Sequence, residues 1–501
     1  MLFSPKRIQL FFLTLLIIVA IFFRTYKIRD YIVFLGDEGR DAIVMRDIFV
    51  NHHLPFLGPT ASVGGFYLGP IYYWMAAPFL FLWHYDPVGP AYFVAIIGIL
   101  TVLLLFRFIK EETSFWPAFL ASLLYATAPL IVRYSRSSWN PNPLPFFSLL
   151  LIYFIYKGIK EEKSQFFLLA GACFGIAIQL HYLSLVLVPI AALITILNQN
   201  YKKIPLNIFF ALLGAAITFS PFLFFEIRHN FPNFKTIFEF ATRGSTLSFR
   251  SPNIIWLVSN GGNIFLESIS SYVGTIFTRT ALWALALSST ACLVINWQNK
   301  AKKLIFSITT IYFICGVLFL RFYSGQIYDY YYGSIFPSPF LLFGIIIGLF
   351  WNKDHVKVIA IFLTVIIFGP FLQRGFYKEP PNRLIEQTEK IADLIIEKTD
   401  NNPYNFALIT NSNSDQAYRY FLDIKNHKPT VLEDNITDQL IILCESQACS
   451  PLGNSLWEIA AFGRGEVTGQ WDLPQYGFKI YRLIHWPGEP SPAGKPAKKL
   501  G

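Results

Sequence analysis

The chain has 501 residues, of which 54% are hydrophobic and 14% charged, and its 41 Lys and Arg against 31 Asp and Glu give a formal net charge of +10. Soluble domains are about 45–50% apolar, so this composition excludes a chain built only of water-soluble domains. The positive charge indicates membrane topology rather than nucleic-acid binding, because little soluble mass carries it. We therefore predict an integral membrane protein.

Apolar runs of spanning length recur up to residue 373. A spanning helix needs about 20 mostly apolar residues, because each adds about 1.5 Å against a hydrocarbon core of about 30 Å. We predict about eleven transmembrane helices, near residues 8–23, 89–108, 115–132, 143–157, 166–180, 183–198, 206–224, 275–296, 304–322, 335–351 and 357–373. The first run follows Lys6 and Arg7 without a small-residue cleavage site after it, and it is predicted to be an uncleaved anchor.

The connections between these runs alternate in character. Short Lys-rich ones, such as 157–163 and 300–303, alternate with longer ones rich in Arg, Tyr and Asn. The positive-inside rule places the Lys-rich set in the cytoplasm, so we predict a multi-pass protein of the plasma (inner) membrane with a cytoplasmic N-terminus and an outer C-terminal domain. A guanidinium binds phosphate bidentately. The outer Arg residues therefore indicate that a phosphate is handled there: Arg24, Arg29, Arg40, Arg46, Arg133, Arg136, Arg228, Arg243, Arg250 and Arg321.

Residues 1–374 are predicted to form a transmembrane domain with two long outer loops. The first, 24–84, ends in an apolar stretch, 70–84, that is too short to span and is predicted to lie at the interface or to dip into the protein. The second loop covers residues 225–270.

The composition changes near Arg374, and residues 375–486 are predicted to form a small outer α/β domain. Periodicity predicts helices and strands, and it leaves the Pro-, Gly- and Lys-containing tail 487–501 disordered. The helices are expected at 384–399 and 415–425 and the strands at 406–410, 440–444 and 478–485. The spacing of Cys444 and Cys449 allows a small disulfide outside the cytosol.

The polar sequence Gly36-Asp-Glu-Gly-Arg-Asp-Ala42 follows the first span. A carboxylate can take the proton of an acceptor hydroxyl, and Asp37 and Glu38 are the candidate catalytic residues. A leaving lipid phosphate needs positive charge, which Arg40 would supply. A short acidic stretch at a helix start is also an ordinary capping feature.

Three further outer segments carry candidate substrate- or phosphate-binding residues. Arg136 and Asn140 follow the third span, His181 and Tyr182 lie where two spans meet, and Asp329 lies in a Tyr-rich stretch. A polar His between spans is costly unless it faces a cavity. The alternative for the aromatic-rich segments is an interfacial belt.

Residues 31–74 resemble the first outer loop of GT-C glycosyltransferases related to protein O-mannosyltransferases and the lipid A aminoarabinose transferase (glycosyltransferase family 39-like). Asp37, Glu38, Arg40 and Ala42 match that family's Asp-Glu-x-Arg-x-Ala pattern. A later family motif, Phe-Glu-Lys-Pro-Pro-Leu-His-Tyr-Trp, is matched in this chain by Phe66, Pro70, Tyr73 and Trp74.

The second motif departs from the family at Tyr67 and Leu68, which replace a Glu and a Lys. In the family that Glu is a suspected metal ligand and the Lys a phosphate contact. Whether the chain uses a divalent metal as cofactor therefore stays open. Tyr67 and Tyr72 are the candidate substrate contacts of this segment.

The resemblance implies a GT-C-like fold and an inverting glycosyltransferase, with Asp37 as base, Glu38 orienting it or touching the sugar, and Arg40 on the donor phosphate. The donor would be a polyprenyl-phosphate sugar, with hexosyl or pentosyl transfer to an unidentified glycan, lipid or protein. No P-loop motif is present. A transporter or flippase of a lipid-linked glycan, or a non-catalytic membrane scaffold, remains the alternative.

Overall fold

The computed structural model of the protein describes residues 4–61, 64–242, 276–320, 328–373, 375–446, 449–488 and 492–497. Residues 243–270 of the predicted second outer loop lie outside the described residues. The helices up to residue 228 are α1 (Pro5–Thr25), α2 (Ile28–Tyr31), α3 (Gly36–Val50), α4 (Ile71–Leu82), α5 (Val88–Glu112), α6 (Phe115–Thr127), α7 (Pro129–Tyr134), α8 (Leu144–Lys160), α9 (Gln165–Leu180), α10 (Leu187–Asn198) and α11 (Ile204–Arg228).

The later described residues hold nine further helices and four strands. The helices are α12 (Pro232–Thr242), α13 (Ile276–Ile295), α14 (Lys300–Thr310), α15 (Gly316–Leu320), α16 (Ser338–Leu349), α17 (Asp354–Gln373), α18 (Leu384–Lys398), α19 (Gln416–Ile424) and α20 (Trp457–Phe462). The strands are β1 (Asn405–Ile409), β2 (Gln439–Cys444), β3 (Gly465–Leu473) and β4 (Phe478–His485). Short 3-10 helices lie at Tyr182–Val186, Tyr201–Lys203, Asp329–Ile335 and Phe376–Lys378, and a π-helical turn at Ile311–Cys315.

The chain divides into two compact units. The transmembrane unit comprises Met1–Ile28, Leu54–Phe79 and Pro90–Pro380, and the α/β unit comprises Arg29–His53, Leu80–Gly89 and Pro381–Gly501. This differs from the predicted boundary near residue 374, because parts of the predicted loop 24–84 pack within the α/β unit. Phe34, for example, contacts the rings of Tyr420 and Phe421.

Four helical segments in the described residues are long and apolar enough to cross a membrane: Pro5–Thr25, Val88–Glu112, Tyr201–Arg228 and Lys300–Leu320. A helix pair bent by 44°, Asp329–Ile335 with Ser338–Leu349, counts as one more span, and several shorter apolar helices accompany these. The prediction of an α-helical polytopic membrane protein is confirmed. The number of eleven spans stays a prediction.

The predicted run 115–132 is broken into α6 and α7 at Ala128. This residue has φ −59° and ψ 121°, outside the helical region. Pro129 follows it, and proline disfavours the helical conformation of the residue before it. The break directs the chain into the polar segment that follows α7.

The α/β unit contains a four-stranded sheet with the order β1-β2-β4-β3. β1 and β2 are parallel, while β4 pairs antiparallel with β2 and β3. All residues of β2 are buried, which explains its continuous apolar sequence. The predicted strands at 406–410, 440–444 and 478–485 are confirmed to within a residue or two. Periodicity missed β3, an edge strand with a largely exposed and polar sequence.

The prediction of a disordered tail is wrong for residues 492–497. The N–H groups of Gly494 and Ala497 donate to the carbonyls of Ile436 and Leu432 at 2.9 Å, and Lys495 accepts from Ile436 at 2.9 Å. Ala497 packs against the sheet core. Backbone groups make these hydrogen bonds. The side chains of this segment therefore show no periodic pattern from which its order could be predicted. Nearby, Cys444 and Cys449 form a disulfide.

Candidate functional site

The acidic motif forms the N-terminus of α3, which begins at Gly36. The N–H of Leu35, just before the helix, donates to Glu38 Oε2 at 3.0 Å. The N–H of Gly36 donates to Asn413 Oδ1 at 3.0 Å. The first N–H groups of a helix lack partners within it, and acidic side chains there also suit the helix dipole. The motif is therefore the start of a helix. Its N–H groups donate to Glu38, which belongs to the motif, and to Asn413, which lies in a distant segment.

Three carboxylates and one guanidinium form the acidic site, which we define as Asp37, Glu38, Arg40 and Asp41. Arg40 Nη1 donates to Asp37 Oδ1 at 2.9 Å, and its Nε and Nη2 donate to Asp41 Oδ1 at 3.0 and 2.8 Å. The Asp41 side chain is 1% exposed, whereas that of Asp37 is 57% exposed. A buried carboxylate thus fixes the guanidinium, and the guanidinium orients the accessible carboxylate.

Glu38 differs from Asp37 in its surroundings. Burial raises the pKa of Glu38 to about 7, and the charges of Asp41 and Asp37 add to the shift. Removing a carboxylate from water and placing it near other carboxylates both disfavour its ionised form. Glu38 therefore titrates near neutral pH, and Asp37 is the carboxylate of the site that a substrate can reach.

The two glycines of the motif let α3 approach the segment 414–417. A Cβ atom on Gly39 would lie 2.3 Å from the Ala417 backbone nitrogen, and one on Gly36 would lie 2.0 Å from Ser414 Oγ. Backbone atoms cannot give way as a flexible side-chain end can. Sequence analysis treated these glycines only as part of a pattern, since their partners lie far along the chain.

In the transmembrane unit, the three other polar segments come together. We define the aromatic cluster as Trp139, His181, Tyr330 and Tyr331. The centre of the His181 ring lies 5.7 Å from that of Tyr330 and 5.2 Å from that of Tyr331. The ring centres of Trp139 and Tyr330 lie 4.5 Å apart. Asn140 fastens two of these segments, because its Nδ2 donates to the carbonyl of Leu180 at 2.8 Å.

Asp329 begins the 3-10 helix that carries Tyr330 and Tyr331. The structure thus brings Asn140 and His181 together and places Asp329 on the segment that completes the cluster. No sequence pattern predicted that these segments meet, because each adjoins the end of a different helix.

Tyr67 and Tyr182 are also joined. The Tyr182 hydroxyl donates to the carbonyl of Tyr67, and the Tyr67 N–H donates to Asn233 Oδ1 at 2.8 Å. Asn233 Nδ2 in turn donates to Glu226 Oε1 at 2.7 Å, and the Phe234 N–H donates to Glu226 Oε2 at 3.1 Å. Glu226 was not among the residues predicted from the sequence, where its signal was an acid in the last turn of an apolar helix.

Tyr72 and Arg136 are held within the unit. The Tyr72 hydroxyl lies 2.8 Å from Ser138 Oγ. Arg136 Nη2 donates to the Tyr26 carbonyl at 2.7 Å, and its Cζ lies 3.5 Å from the centre of the Phe376 ring. Both side chains are buried. Phosphate binding by Arg136, like that by Arg40, stays a prediction.

The described residues do not fit a divalent metal. Among them, no group of three or more His, Cys, Asp or Glu side chains has a metal-binding arrangement. Asp37 and Asp41 are held by the cationic Arg40, and Tyr67 and Leu68 stand where the resembled family has Glu and Lys.

Comparison with known proteins identifies the fold. A profile of the family described as "Dolichyl-phosphate-mannose-protein mannosyltransferase" matches residues 68–225. ArnT from Cupriavidus metallidurans bound to undecaprenyl phosphate is 12% identical with a TM-score of 0.60, over 96% of this chain and 98% of that one. No curated protein sequence matches the chain.

A second solved structure has the same fold. The archaeal oligosaccharyltransferase AglB from Archaeoglobus fulgidus, in complex with an inhibitory peptide and a dolichol-phosphate, is 11% identical with a TM-score of 0.53. The likeness covers 95% of this chain and 74% of that one. The protein therefore has the fold of GT-C membrane glycosyltransferases.

Proposed function

We propose that the protein is a membrane glycosyltransferase that transfers a sugar from a polyprenyl-phosphate donor to an acceptor at the outer face of the plasma membrane. The observation that carries the proposal is the acidic site at the start of α3, where one accessible carboxylate is oriented by a fixed guanidinium. The fold supports it, since the solved structures with this fold include one with undecaprenyl phosphate and one with dolichol-phosphate.

In the proposed mechanism, Asp37 is the general base. Its carboxylate accepts the proton of the acceptor hydroxyl as the oxygen attacks the anomeric carbon. The bond between that carbon and the lipid phosphate breaks, and its electron pair leaves on the phosphate. Attack opposite the leaving group inverts the anomeric centre. Arg40 holds the base in place and brings positive charge to the site.

We propose that the aromatic cluster, together with Tyr67 and Tyr182, forms a sugar- or phosphate-binding surface within the transmembrane unit. Aromatic faces with polar edges suit a ring that has both apolar C–H faces and hydroxyls. The transferred group would be a hexose or a pentose, and the acceptor a glycan, a lipid or a protein. The outer location and the cytoplasmic N-terminus rest on the Lys-rich connections of one set of loops.

The test is sugar transfer in native membranes supplied with a panel of radiolabelled undecaprenyl-phosphate hexoses and pentoses. We expect transfer by the wild type and a fall of about 10²–10⁴-fold in the Asp37→Asn variant, which keeps size but loses the base. Asp47→Asn is the matched control in the same helix. Asp47 accepts from the side chains of Asn51 and His53, and its loss should leave transfer within a factor of two or so.

Full activity in Asp37→Asn would remove this carboxylate from the mechanism. A well-folded wild type that transfers none of the offered sugars would contradict the proposed donor class.

A further inference from the structure

The sheet of the α/β unit ends in a polar edge close to the start of α3. β1 and β2 are parallel, so their carboxyl ends lie at the same edge. Thr410 follows β1 and Glu445 follows β2. Thr410 Oγ1 donates to Glu445 Oε2 at 2.7 Å, and Asn413 Nδ2 and the Tyr418 hydroxyl both donate to Glu445 Oε1 at 2.8 Å. One carboxylate thus gathers three donors.

This arrangement fixes which way the Asn413 amide points. A carboxylate only accepts hydrogen bonds, so the amide nitrogen of Asn413 must face Glu445. The amide oxygen then faces the other way, where it accepts from Gly36 N–H at 3.0 Å and from Ser414 N–H at 2.8 Å. A rotated amide would place its NH₂ group against two N–H donors.

The bonded Gly36 is the first residue of α3, and Asp37 is the next. Because Gly36 N–H has no acceptor within its own helix, Asn413 acts as a cap supplied from the segment that follows β1. The chain of contacts runs from Glu445 through Asn413 to the backbone that carries Asp37. The two segments are also in close contact at Gly36 itself, where a Cβ would lie 2.0 Å from Ser414 Oγ.

We propose that Glu445 and Asn413 are positioning residues that set the place of Asp37 for sugar transfer. This inference rests on the proposed function. The C-terminal sheet is then part of the transferase machinery, because it holds the helix start that carries the base. A displacement of about 1 Å at a reacting group costs about 10²-fold in rate, so a single hydrogen bond of this kind is visible in kcat.

The experiment uses the full-length protein in membranes and the radiolabelled undecaprenyl-phosphate sugar that the wild type transfers best. Glu445→Gln keeps the size of the side chain but replaces one of its two acceptor oxygens with an NH₂ donor. The amide then has one acceptor oxygen for the three donors Thr410, Asn413 and Tyr418. We expect kcat to fall about 10- to 100-fold, with KM for the donor and the thermal unfolding midpoint close to wild type. Glu397→Gln is the matched control: its carboxylate lies on α18, is 64% exposed and pairs with the neighbouring Lys398.

A double-mutant cycle separates positioning from a general structural role. If Glu445 acts through Asn413, Glu445→Gln lowers kcat in the wild type but causes no further fall in an Asn413→Ala background. Hydrogen exchange at the Gly36 amide gives a readout apart from turnover. Exchange should be faster in both single variants and unchanged in Glu397→Gln.

Three outcomes would overturn the inference. They are an unchanged kcat in both single variants, losses of kcat that multiply in the double variant, and a fall in kcat matched by a fall in the folded fraction. The inference fails alone when the wild type transfers sugar and Asp37→Asn does not, yet Glu445→Gln is fully active. A wild type without transfer overturns the proposed function as well. If Asn413→Ala does not fold, Asn413→Ser, which keeps a short polar side chain, takes its place in the same cycle.

Discussion

The arginines that were predicted to lie on the outer side have different partners in the two units. In the α/β unit they pair with carboxylates: Arg29 with Asp86 at 3.0 Å, Arg46 with Asp423 at 2.7 Å, and Arg40 as described above. In the transmembrane unit the buried Arg24 donates to the carbonyl of Ala126 at 3.0 Å. Arg136 likewise binds a carbonyl and a ring.

The difference follows from what each surrounding offers. An apolar helix bundle has few acids, so a guanidinium buried there uses helix-end carbonyls and aromatic faces. Five of the ten predicted outer arginines donate hydrogen bonds to protein acceptors: Arg24, Arg29, Arg40, Arg46 and Arg136. Phosphate binding at the outer face stays a prediction. Arg243, Arg250 and Arg321 of that set lie outside the described residues.

The largest effect is expected at the contact between α3 and α19. In Gly39→Ala the new Cβ would meet backbone atoms of Ala417 at 2.3 and 2.4 Å, so α3 must move. We expect transfer to fall about 10²-fold and the free energy of unfolding to fall by about 1–3 kcal/mol, measured by radiolabel transfer and thermal unfolding in detergent. Gly369→Ala is the control, because its Cβ would meet nothing within 4 Å. Equal behaviour of the two variants would contradict the close approach.

The next effect concerns the pH dependence of stability. Glu38 has an ordinary pKa of 4.5, and burial raises the pKa to about 7 in the folded protein. Between these values the folded state holds a proton that the unfolded chain has lost, so the free energy of unfolding falls as pH rises from 4.5 to 7. Glu38→Gln resembles the protonated acid.

We expect Glu38→Gln to match the wild type at pH 4.5 and to be more stable by up to about 3 kcal/mol above pH 7. Unfolding midpoints measured across this range check the difference, with Glu397→Gln as a variant that retains the wild-type slope. A constant offset between Glu38→Gln and wild type at every pH would show that Glu38 does not titrate in this window.

A smaller effect on the free energy of unfolding is expected at the hydrogen bond that joins two segments of the aromatic cluster. Asn140→Ala removes the donor to the Leu180 carbonyl, and a buried group left without its partner costs about 1–3 kcal/mol. Asn296→Ala should cost less, because the Asn296 side chain donates to the Cys292 carbonyl, four residues back in the same helical segment. Thermal unfolding of the two variants compares them, and a larger loss for Asn296→Ala would argue against Asn140 as the fastening residue.

The smallest effect tests the two kinds of arginine directly. Arg46→Met breaks a mostly buried ion pair, whose side chains are 19% and 23% exposed, and should lower the free energy of unfolding by about 1 kcal/mol. Arg24→Met removes a fully buried guanidinium for which the described residues supply no carboxylate, and replacing buried charge with an apolar side chain of similar size is often neutral or stabilising. We expect no fall in its unfolding midpoint; a fall larger than that of Arg46→Met would reverse the comparison.

Local pattern predicted much of this protein. Length and apolarity of the runs predicted the polytopic helical architecture, and short apolar or alternating runs predicted three of the four strands. The acidic motif was recognised from adjacent residues, so Asp37, Glu38 and Arg40 were found together. The pattern failed at β3 and at residues 492–497, because edge strands and backbone-paired tails bury too few side chains to show a period.

By itself, the sequence determined that the chain crosses membranes, that an α/β unit follows the helices, and which residues carry the acidic motif, since hydropathy and local periodicity act over a few neighbouring residues. Only the tertiary structure decided which acid is accessible and which is buried, that Asp41 fixes Arg40, and that Asn413 and Glu445 bind the start of α3. It also decided that Asn140, His181 and Tyr330 meet. Burial and hydrogen bonding between distant segments set these properties, and they have no signature in the order of neighbouring residues.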